Sequence, residues 1–258
     1  MSHNDPRLLS GLALITGAGS GLGRALAVSL CQRGMKVAGL GRRADALAET
    51  ALQAGENFHP INADVSDFKS LRAAFTQADK IAPLTLLINN AATYPHRDIL
   101  AETPESFMAT MNTNFGGTMA ASRLALDRFA PTGFGRILNV ATFADLHPLP
   151  TASAYSTSKG AARILTRALV SDLADRFPDI VINDWMPGML ATSMGIPDGL
   201  LPEKSAEWGT ELALWHDPAL TGTTFEQNVE ILPAQGLKSR LKNALLLRRP
   251  KPRRIGTT

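Results

Sequence analysis

The sequence predicts a single α/β domain in which helices cover both faces of a doubly wound parallel sheet. Along its 258 residues, short apolar runs alternate with stretches that repeat apolar residues at helical spacing. Strands that are separated by helices run parallel, because each right-handed crossover returns the chain to the same edge of the sheet. A glycine-rich turn also lies between the first apolar run and the first long helical stretch. These observations predict a Rossmann-type arrangement.

The order of apolar runs and helix breakers predicts the individual elements. A first strand covers Leu12 to Thr16, and the helix that follows over Leu22 to Arg33 stops at Gly34. A second strand is expected at Met35 to Leu40. The later strands, with helices between them, are predicted at Phe58 to Ala63, Leu84 to Asn89, Gly135 to Val140 and Ile180 to Met186.

The C-terminal third is harder to interpret by pattern. A helix is predicted over Ala206 to Trp215 and a last strand over Thr223 to Val229.

Length and even composition predict one domain over residues 11–235, preceded by a polar lead at 1–10 and followed by a basic tail at 236–258.

The net charge of +3 comes from the tail, without which the chain would be net acidic. The tail cations are Lys238, Arg240, Lys242, Arg248, Arg249, Lys251, Arg253 and Arg254. An acidic substrate, a nucleic acid or a membrane surface are alternative partners for such a tail. Because the tail has no aromatic residues for base stacking, we favour a solvated or subunit-contacting tail, with no nucleic-acid or membrane partner.

The only cysteine, Cys31, cannot form an internal disulfide, and it falls on the apolar face of the first long helix. A buried structural thiol is therefore expected.

No apolar stretch approaches the roughly 18 residues of a membrane span, and the polar start does not resemble a signal peptide. These features predict a cytoplasmic protein.

A glycine cluster joins the first strand to the first long helix. It has the sequence Thr16-Gly17-Ala18-Gly19-Ser20-Gly21-Leu22-Gly23. Glycine turns tightly and lets backbone amides approach a pyrophosphate, whose charge suits the positive end of the helix. An ordinary strand-to-helix turn is the alternative. The predicted cofactor contacts here are Gly17, Ser20, Gly21, Leu22 and Gly23.

Tyr155 and Lys159 lie one helical turn apart on a predicted helix. A free phenol has a pKa of about 10, and a neighbouring cation lowers that pKa toward the range in which a phenol can exchange protons. Such a pair also arises by chance, so alone it indicates no more than a surface or core feature.

The joint pattern resembles the short-chain dehydrogenase/reductase family over roughly residues 10 to 195. The matching features are the glycine cluster, Asn89-Asn90-Ala91, Asn114 and the Tyr155/Lys159 pair, in this order and at these separations. The resemblance implies an NAD(P)-dependent oxidoreductase that acts on a carbonyl or alcohol and forms a homodimer or homotetramer. It implies that Tyr155 is the general acid/base, that Lys159 binds the nicotinamide ribose and lowers the pKa of Tyr155, and that Asn114 anchors a proton-relay water.

The resemblance implies further cofactor contacts from three segments. These are Asn90 and Ala91 on the adenosine side, Asp64 and Val65 at the adenine ring, and Pro187, Gly188 and Thr192 over the nicotinamide.

Two positions depart from the family pattern. Thr142 stands where the family usually has the serine that hydrogen-bonds the substrate oxygen, and Ala92 ends the motif that usually ends in glycine. Threonine keeps the hydroxyl but adds a methyl group and restricts χ1, so the role survives in a narrower pocket. Ser153, close before Tyr155, is the alternative donor.

Arg42 and Arg43 follow the second strand, where a carboxylate would instead bind the ribose hydroxyls of NAD. Guanidinium groups pair with phosphate, so NADP(H) is favoured over NAD(H). The alternative is that both arginines solvate a loop.

A non-catalytic nucleotide-sensing or scaffold protein of the same fold is the rival interpretation. The full set of Tyr155, Lys159 and Asn114 argues against it. No histidine and carboxylate spacing matches a metal site, and none is predicted. An apolar lid favours a hydrophobic or aromatic carbonyl substrate, and its residues are Met189, Leu190, Met194, Ile196 and Pro197.

Overall fold

The computed structural model describes residues 5–232 and 251–256. Its centre is an eight-stranded sheet in the order β3-β2-β1-β4-β5-β6-β7-β8. Strands β1 to β7 run parallel, and β8 pairs antiparallel with β7. The strands are β1 (Leu12–Thr16), β2 (Lys36–Gly41), β3 (Phe58–Asn62), β4 (Leu84–Asn89), β5 (Gly135–Val140), β6 (Ile180–Met186), β7 (Thr224–Glu226) and β8 (Val229–Ile231).

Helices cover both faces of the sheet, which confirms the predicted fold class. They are α1 (Pro6–Leu9), α2 (Gly21–Gln32), α3 (Ala44–Ala54), α4 (Phe68–Ala78), α5 (Pro104–Met111), α6 (Gly117–Phe129), α7 (Ser153–Leu173) and α8 (Pro202–Leu214). Successive strand residues point to opposite faces, so β1 places Ile15 in the core under α2 and α8, and Leu14 in the core under α4 and α6. A π-helical turn at Asn112–Gly116 joins α5 to α6.

The predicted bounds of β1, β4, β5 and β6 are confirmed; those of β2 differ by one residue at each end, and β3 ends one residue earlier than predicted. The strand predicted over Thr223 to Val229 is present only at Thr224–Glu226, and it is not the last one, because β8 follows. Gln227 takes a left-handed backbone with φ of 50° and its amide donates to the Met186 carbonyl, so the segment turns into the β7–β8 hairpin. The helix predicted from Ala206 begins earlier, because Pro202 suits a first helical turn.

Cys31 is buried in the core, as expected, and burial raises the pKa of its thiol to about 11. Among the residues that the structure describes, no helix combines the length and the apolarity needed to cross a bilayer.

The predicted start of the basic tail, residue 236, lies outside the described residues, as do its cations up to Arg249. Residues 251–256 lie against β8, where Arg254 forms an antiparallel bridge with Val229. Arg253 pairs with Glu230 at 3.0 Å, and Ile255 is buried in the core. This last part of the basic segment therefore packs on the domain.

The order of the strands locates the functional cleft. The chain moves outward from β1 to β3 and then returns to the other side of β1 at β4. Ligands of open α/β sheets bind outside the carboxyl ends of the strands at such a switch point. The loops after β1, β2, β4, β5 and β6 meet at this edge.

Candidate active site

A cleft of about 750 Å³ opens at the carboxyl ends of the parallel strands. It is lined by the glycine turn after β1, the ends of β2, β4, β5 and β6, and the first turns of α7. Every site residue predicted from the sequence lines this cleft except Asn114. The fold thus brings together residues that lie far apart along the chain.

The glycine turn has a shape that side chains would block. Gly17 and Gly21 have φ of 71° and 50°, which favour glycine. A Cβ on Gly23 would lie 2.1 Å from the Gly17 carbonyl oxygen, and one on Gly17 would lie 2.9 Å from the Ala91 Cα. Asn90 Nδ2 donates to the carbonyl oxygens of Thr16 and Gly17, at 3.0 and 3.2 Å, and so holds the turn in place.

Helix α2 starts at this turn, and its first turn has no side-chain cap from Ser20. The amides at a helix N-terminus and the positive end of the helix dipole bind anions. Because the turn is kept free of side chains and lines the cleft, it fits the pyrophosphate of a dinucleotide.

Two arginines lie at the outer end of the cleft, after β2. Arg42 and Arg43 are both exposed and line the cleft. Arg42 Nη1 lies 4.0 Å from Asp64 Oδ2, a loose contact for a side chain that is 68% exposed. Asp64 Oδ1 accepts bonds from the amide and hydroxyl of Ser66, at 2.9 and 2.7 Å. The cations therefore remain accessible to an anionic group in the cleft.

Helix α7 places Tyr155 and Lys159 one turn apart, both at the cleft. The Lys159 ammonium donates to the Val140 carbonyl oxygen at 2.9 Å. Burial lowers the pKa of Lys159 to about 8, although Asp184 and Asp145 favour its charged form. This lysine is therefore poised to exchange a proton slightly above neutral pH.

The pKa of Tyr155 differs from the expectation. We expected Lys159 to lower it, but burial of the phenol raises it above its usual value. The hydroxyl of Thr142 lowers it in part, and Tyr94 and Asp145 raise it further. Burial dominates because the phenolate loses more solvation than its neighbours restore. The phenol is therefore protonated at neutral pH.

Thr142 is set up as a hydrogen-bond donor in the cleft. Its hydroxyl oxygen accepts from the Ala144 amide at 3.2 Å, which leaves its own O–H available to donate. The alternative donor, Ser153, does not line the cleft, and its buried hydroxyl has no partner among the described residues. The geometry therefore favours Thr142 over Ser153.

Asn114 is buried in the π-helical turn behind the cleft. Its amide nitrogen donates to the Thr93 carbonyl and to Ser158 Oγ, both at 2.9 Å, and its oxygen accepts from the Thr93 amide at 2.8 Å. Ser158 in turn donates to the Tyr155 carbonyl at 2.7 Å. The side chain thus ties the loop after β4 to the helix that carries Tyr155.

An aromatic group that was not among the predicted site residues lies beside the phenol. The ring of Tyr94 stacks on that of Tyr155 with centroids 4.4 Å apart, and His96 stacks on Tyr94 at 3.7 Å. His96 has a positive φ of 49°, which is unusual for a residue other than glycine. The position of Tyr94, four residues after Asn90 in a loop bordering the cleft, was the available signal.

Apolar side chains surround the end of the cleft at which Tyr155 lies. Of the predicted lid, all but Pro197 line it. Phe143 and Leu149, from the loop after β5, add to the same surface. A mouth of this kind suits an apolar ligand.

Comparisons with known proteins agree with this architecture. The family of short chain dehydrogenases matches residues 11–199. The chain is 32% identical to a D-erythrulose reductase of Gallus gallus over 75% of this chain and 77% of that protein. It is 34% identical to a 2-(R)-hydroxypropyl-CoM dehydrogenase of Xanthobacter autotrophicus over 72% and 77%, respectively. An NADP-dependent (R)-specific alcohol dehydrogenase of Lentilactobacillus kefiri is 29% identical over 73% and 76%.

The family match covers most of the chain, including the glycine turn, Tyr155 and Lys159. The relatives are named as dehydrogenases and reductases, and each is matched over about three quarters of its length. The chain belongs to the short-chain dehydrogenase/reductase family of NAD(P)-dependent oxidoreductases.

Proposed function

We propose that this enzyme uses NADP(H) to interconvert a carbonyl compound and its alcohol, with Tyr155 as the general acid/base. One observation carries the proposal. Tyr155, Thr142 and Lys159 line the same cleft as the glycine turn. When bound, the nicotinamide supplies or accepts the hydride. The chain's own residues bind it, orient the substrate oxygen and move the proton.

Tyr155 donates its proton to the substrate oxygen during reduction and recovers it during oxidation. Its raised pKa keeps the phenol protonated at neutral pH, which suits reduction. The Thr142 hydroxyl orients the same oxygen by donating a hydrogen bond. Lys159, with a pKa of about 8, passes the replacement proton, and Asn114 anchors the relay water.

NADP(H) is supported by the two exposed arginines at the outer end of the cleft. Arg42 and Arg43 both line the cleft and can pair with a 2′-phosphate, as guanidinium groups do. The name of the Lentilactobacillus kefiri relative states NADP dependence. Asp64, Val65, Pro187, Gly188 and Thr192 also line the cleft, which supports the proposal that the first two contact the adenine and the last three the nicotinamide.

The substrate that best fits the catalytic end is a hydrophobic or aromatic carbonyl compound. Met189, Met194 and Ile196 are 56%, 37% and 40% exposed at its rim, and such surface is unfavourable in water unless a ligand covers it. Tyr94 adds a ring on which a planar ligand can stack.

We also propose a homodimer or homotetramer in the cytoplasm, with no nucleic-acid or membrane partner. The association is supported by exposed apolar side chains on neighbouring helices, namely Met108 on α5, Met119 on α6 and Ile164 on α7. Light scattering of the purified protein tests it. A monomer at micromolar concentration contradicts the proposal.

The test of the proposed activity is a screen of apolar, aromatic and sugar-like ketones and aldehydes with NADPH, followed by nicotinamide absorbance. In the variant Tyr155→Phe, turnover should be abolished while NADPH binding, followed by fluorescence, stays nearly unchanged. Full activity in that variant contradicts the acid/base role. NADPH binding without turnover of any carbonyl in the screen would support the scaffold interpretation.

A further inference from the structure

A buried ion pair lies beside the catalytic residues without a role in the chemistry described so far. Arg163 is on α7, one turn after Lys159 and two turns after Tyr155, on the same face of the helix. It pairs with Asp145, in the loop after β5, and the two side chains are only 9% and 3% exposed. Burying two charges is expensive, and apolar residues of similar volume often serve stability as well. The pair therefore calls for an explanation other than stability.

The Arg163 guanidinium joins three elements at the catalytic end of the cleft. Nη2 donates to the Thr142 carbonyl oxygen at 2.8 Å and to Asp145 Oδ1 at 3.0 Å, and Nε pairs with Asp145 Oδ2. Nη2 also lies 3.6 Å from Met186 Sδ, at the end of β6. One planar group thus connects α7, the loop after β5 and the last residue of β6.

The backbone around Thr142 is held from outside at successive residues. The Val140 carbonyl accepts from Lys159 at 2.9 Å, and the Ala141 amide donates to the Trp185 carbonyl at 2.7 Å. The Thr142 carbonyl accepts from Arg163. The bond from Arg163 is thus the one made to Thr142 itself, whose hydroxyl faces the Tyr155 phenol.

A threonine hydroxyl points where its backbone directs it, because branching at Cβ restricts χ1. Thr142 lies in an irregular loop, so no strand ladder fixes its backbone. A donor must lie within a few tenths of an ångström of its place to act on a substrate oxygen. The planar guanidinium group of Arg163, bonded to the Thr142 carbonyl oxygen, limits how far the Thr142 backbone can move.

We propose that Arg163, locked by Asp145, is a positioning residue that aims the Thr142 hydroxyl at the substrate oxygen beside Tyr155. The inference rests on the proposed function. Arg163 touches neither substrate nor cofactor in this scheme, and it acts through the loop that it holds.

The pair has a second effect through charge. Tyr155 is influenced by Thr142 and Asp145 from the β5 loop and by Tyr94 from the β4 loop. Asp145 in turn has Arg163 as its ion-pair partner and acts on Lys159 and on Asp184 of β6. Since Asp145 raises the pKa of Tyr155, removing its charge lowers that pKa. Removing Arg163 leaves the charge uncompensated and loosens Thr142, and both changes raise that pKa.

The kinetic test compares Arg163→Met with the double variant Arg163→Met/Asp145→Leu. The single variant leaves a buried carboxylate unpaired, so both its Tm and its kcat should fall, the latter by about tenfold or more. The double variant removes that carboxylate, so Tm should recover while kcat stays low and NADPH binding is unchanged. Arg167→Met, one turn further along α7 at an exposed position, is the matched control with unchanged kcat.

A return of kcat to the wild-type value in the double variant overturns the proposal, because Arg163 would then only neutralise Asp145. Wild-type kcat in Arg163→Met overturns it as well.

A readout that needs no substrate separates this inference from the proposed activity. The chain has only two tyrosines, so Tyr94→Phe leaves Tyr155 as the single phenol. In that background, the phenolate absorbance of Tyr155 should titrate at higher pH in Arg163→Met than in the Arg167→Met control, because both effects of losing Arg163 raise the pKa of Tyr155. Unchanged midpoints overturn the inference. Shifted midpoints in a protein that turns over no carbonyl contradict the proposed activity alone.

Discussion

On the β1–β3 side of the cleft the polar groups are backbone amides and exposed side chains, whereas on the β5–β6 side they are buried side chains. Arg42 and Asp64 have side chains that are 68% and 36% exposed, but those of Arg163 and Asp145 are 9% and 3% exposed. In the proposed function the first side binds groups that bring their own charge, and solvent screens its side chains. In the same proposal the second side places single protons and hydroxyls, which requires fixed groups in a low-dielectric setting.

The largest expected effect comes from removing one hydroxyl group on the β5–β6 side of the cleft. Thr142→Val keeps the shape but removes the donor, so kcat/KM should fall by about a hundredfold, or about 3 kcal/mol. Steady-state kinetics with the best carbonyl from the screen measures the effect. Thr142→Ser keeps the hydroxyl and should retain most of the activity. A fully active Thr142→Val variant would return the donor role to Ser153.

On the β1–β3 side of the cleft, the largest effect on stability and binding should come from adding a single methyl group to the glycine turn. The new Cβ in Gly23→Ala would lie 2.1 Å from the Gly17 carbonyl, so the turn must shift. We expect a loss of about 1–3 kcal/mol in the free energy of unfolding, together with weaker NADPH binding. Denaturant unfolding and a fluorescence titration measure the two changes.

Gly160→Ala in α7 is the matched control for that substitution. Its Cβ would meet only the Asp145 Cβ, at 3.7 Å, which is an ordinary contact. Stability should stay constant or rise by about 0.5–1 kcal/mol. An equal loss in both variants would mean that the tight approach at Gly23 is not special.

Replacing the exposed arginines on the β1–β3 side should weaken nucleotide binding moderately and selectively. Arg42→Ala and Arg43→Ala should each weaken NADPH binding by about tenfold, or about 1.4 kcal/mol, and leave NADH binding unchanged. Separate titrations with the two nucleotides measure this. Equal weakening for both nucleotides would contradict a contact with the 2′-phosphate.

The smallest expected effect is a change in the pH dependence of stability. Burial raises the pKa of Asp184 to about 6 from an ordinary value of 3.8. Between these values the folded chain holds a proton that the unfolded chain has lost, so this group stabilises the fold at low pH. That contribution disappears as pH rises through about 6.

Asp184→Asn should therefore flatten the Tm profile across this interval. Thermal unfolding at several pH values measures the profile. Asp172→Asn, an exposed carboxylate on α7, is the control and should leave the profile unchanged. A wild-type profile in Asp184→Asn would contradict the raised pKa.

The same contrast explains how much the sequence could predict. The glycine turn and the Tyr155/Lys159 pair are each local, since their residues lie within a few positions of one another, and four strand bounds followed from apolar runs. The link between Arg163 and Asp145 joins residues 18 positions apart that only the fold brings together. The raised pKa of Tyr155 depends on burial, and the β7–β8 hairpin depends on the left-handed Gln227, and neither has a local signature.

The two outer strands of the sheet also bear on the proposed association of copies of this protein. At one edge, β3 carries Pro60, which has no N–H to offer to another strand. At the other, residues 251–256 bond to β8 through Arg253 and Ile255, so part of its outer row of amides is already partnered. Each border thereby has fewer free backbone groups for strand addition, the usual route of edge-to-edge aggregation. In the proposed homo-oligomer, the helical faces on which Met108, Met119 and Ile164 are exposed are therefore the expected contact surfaces.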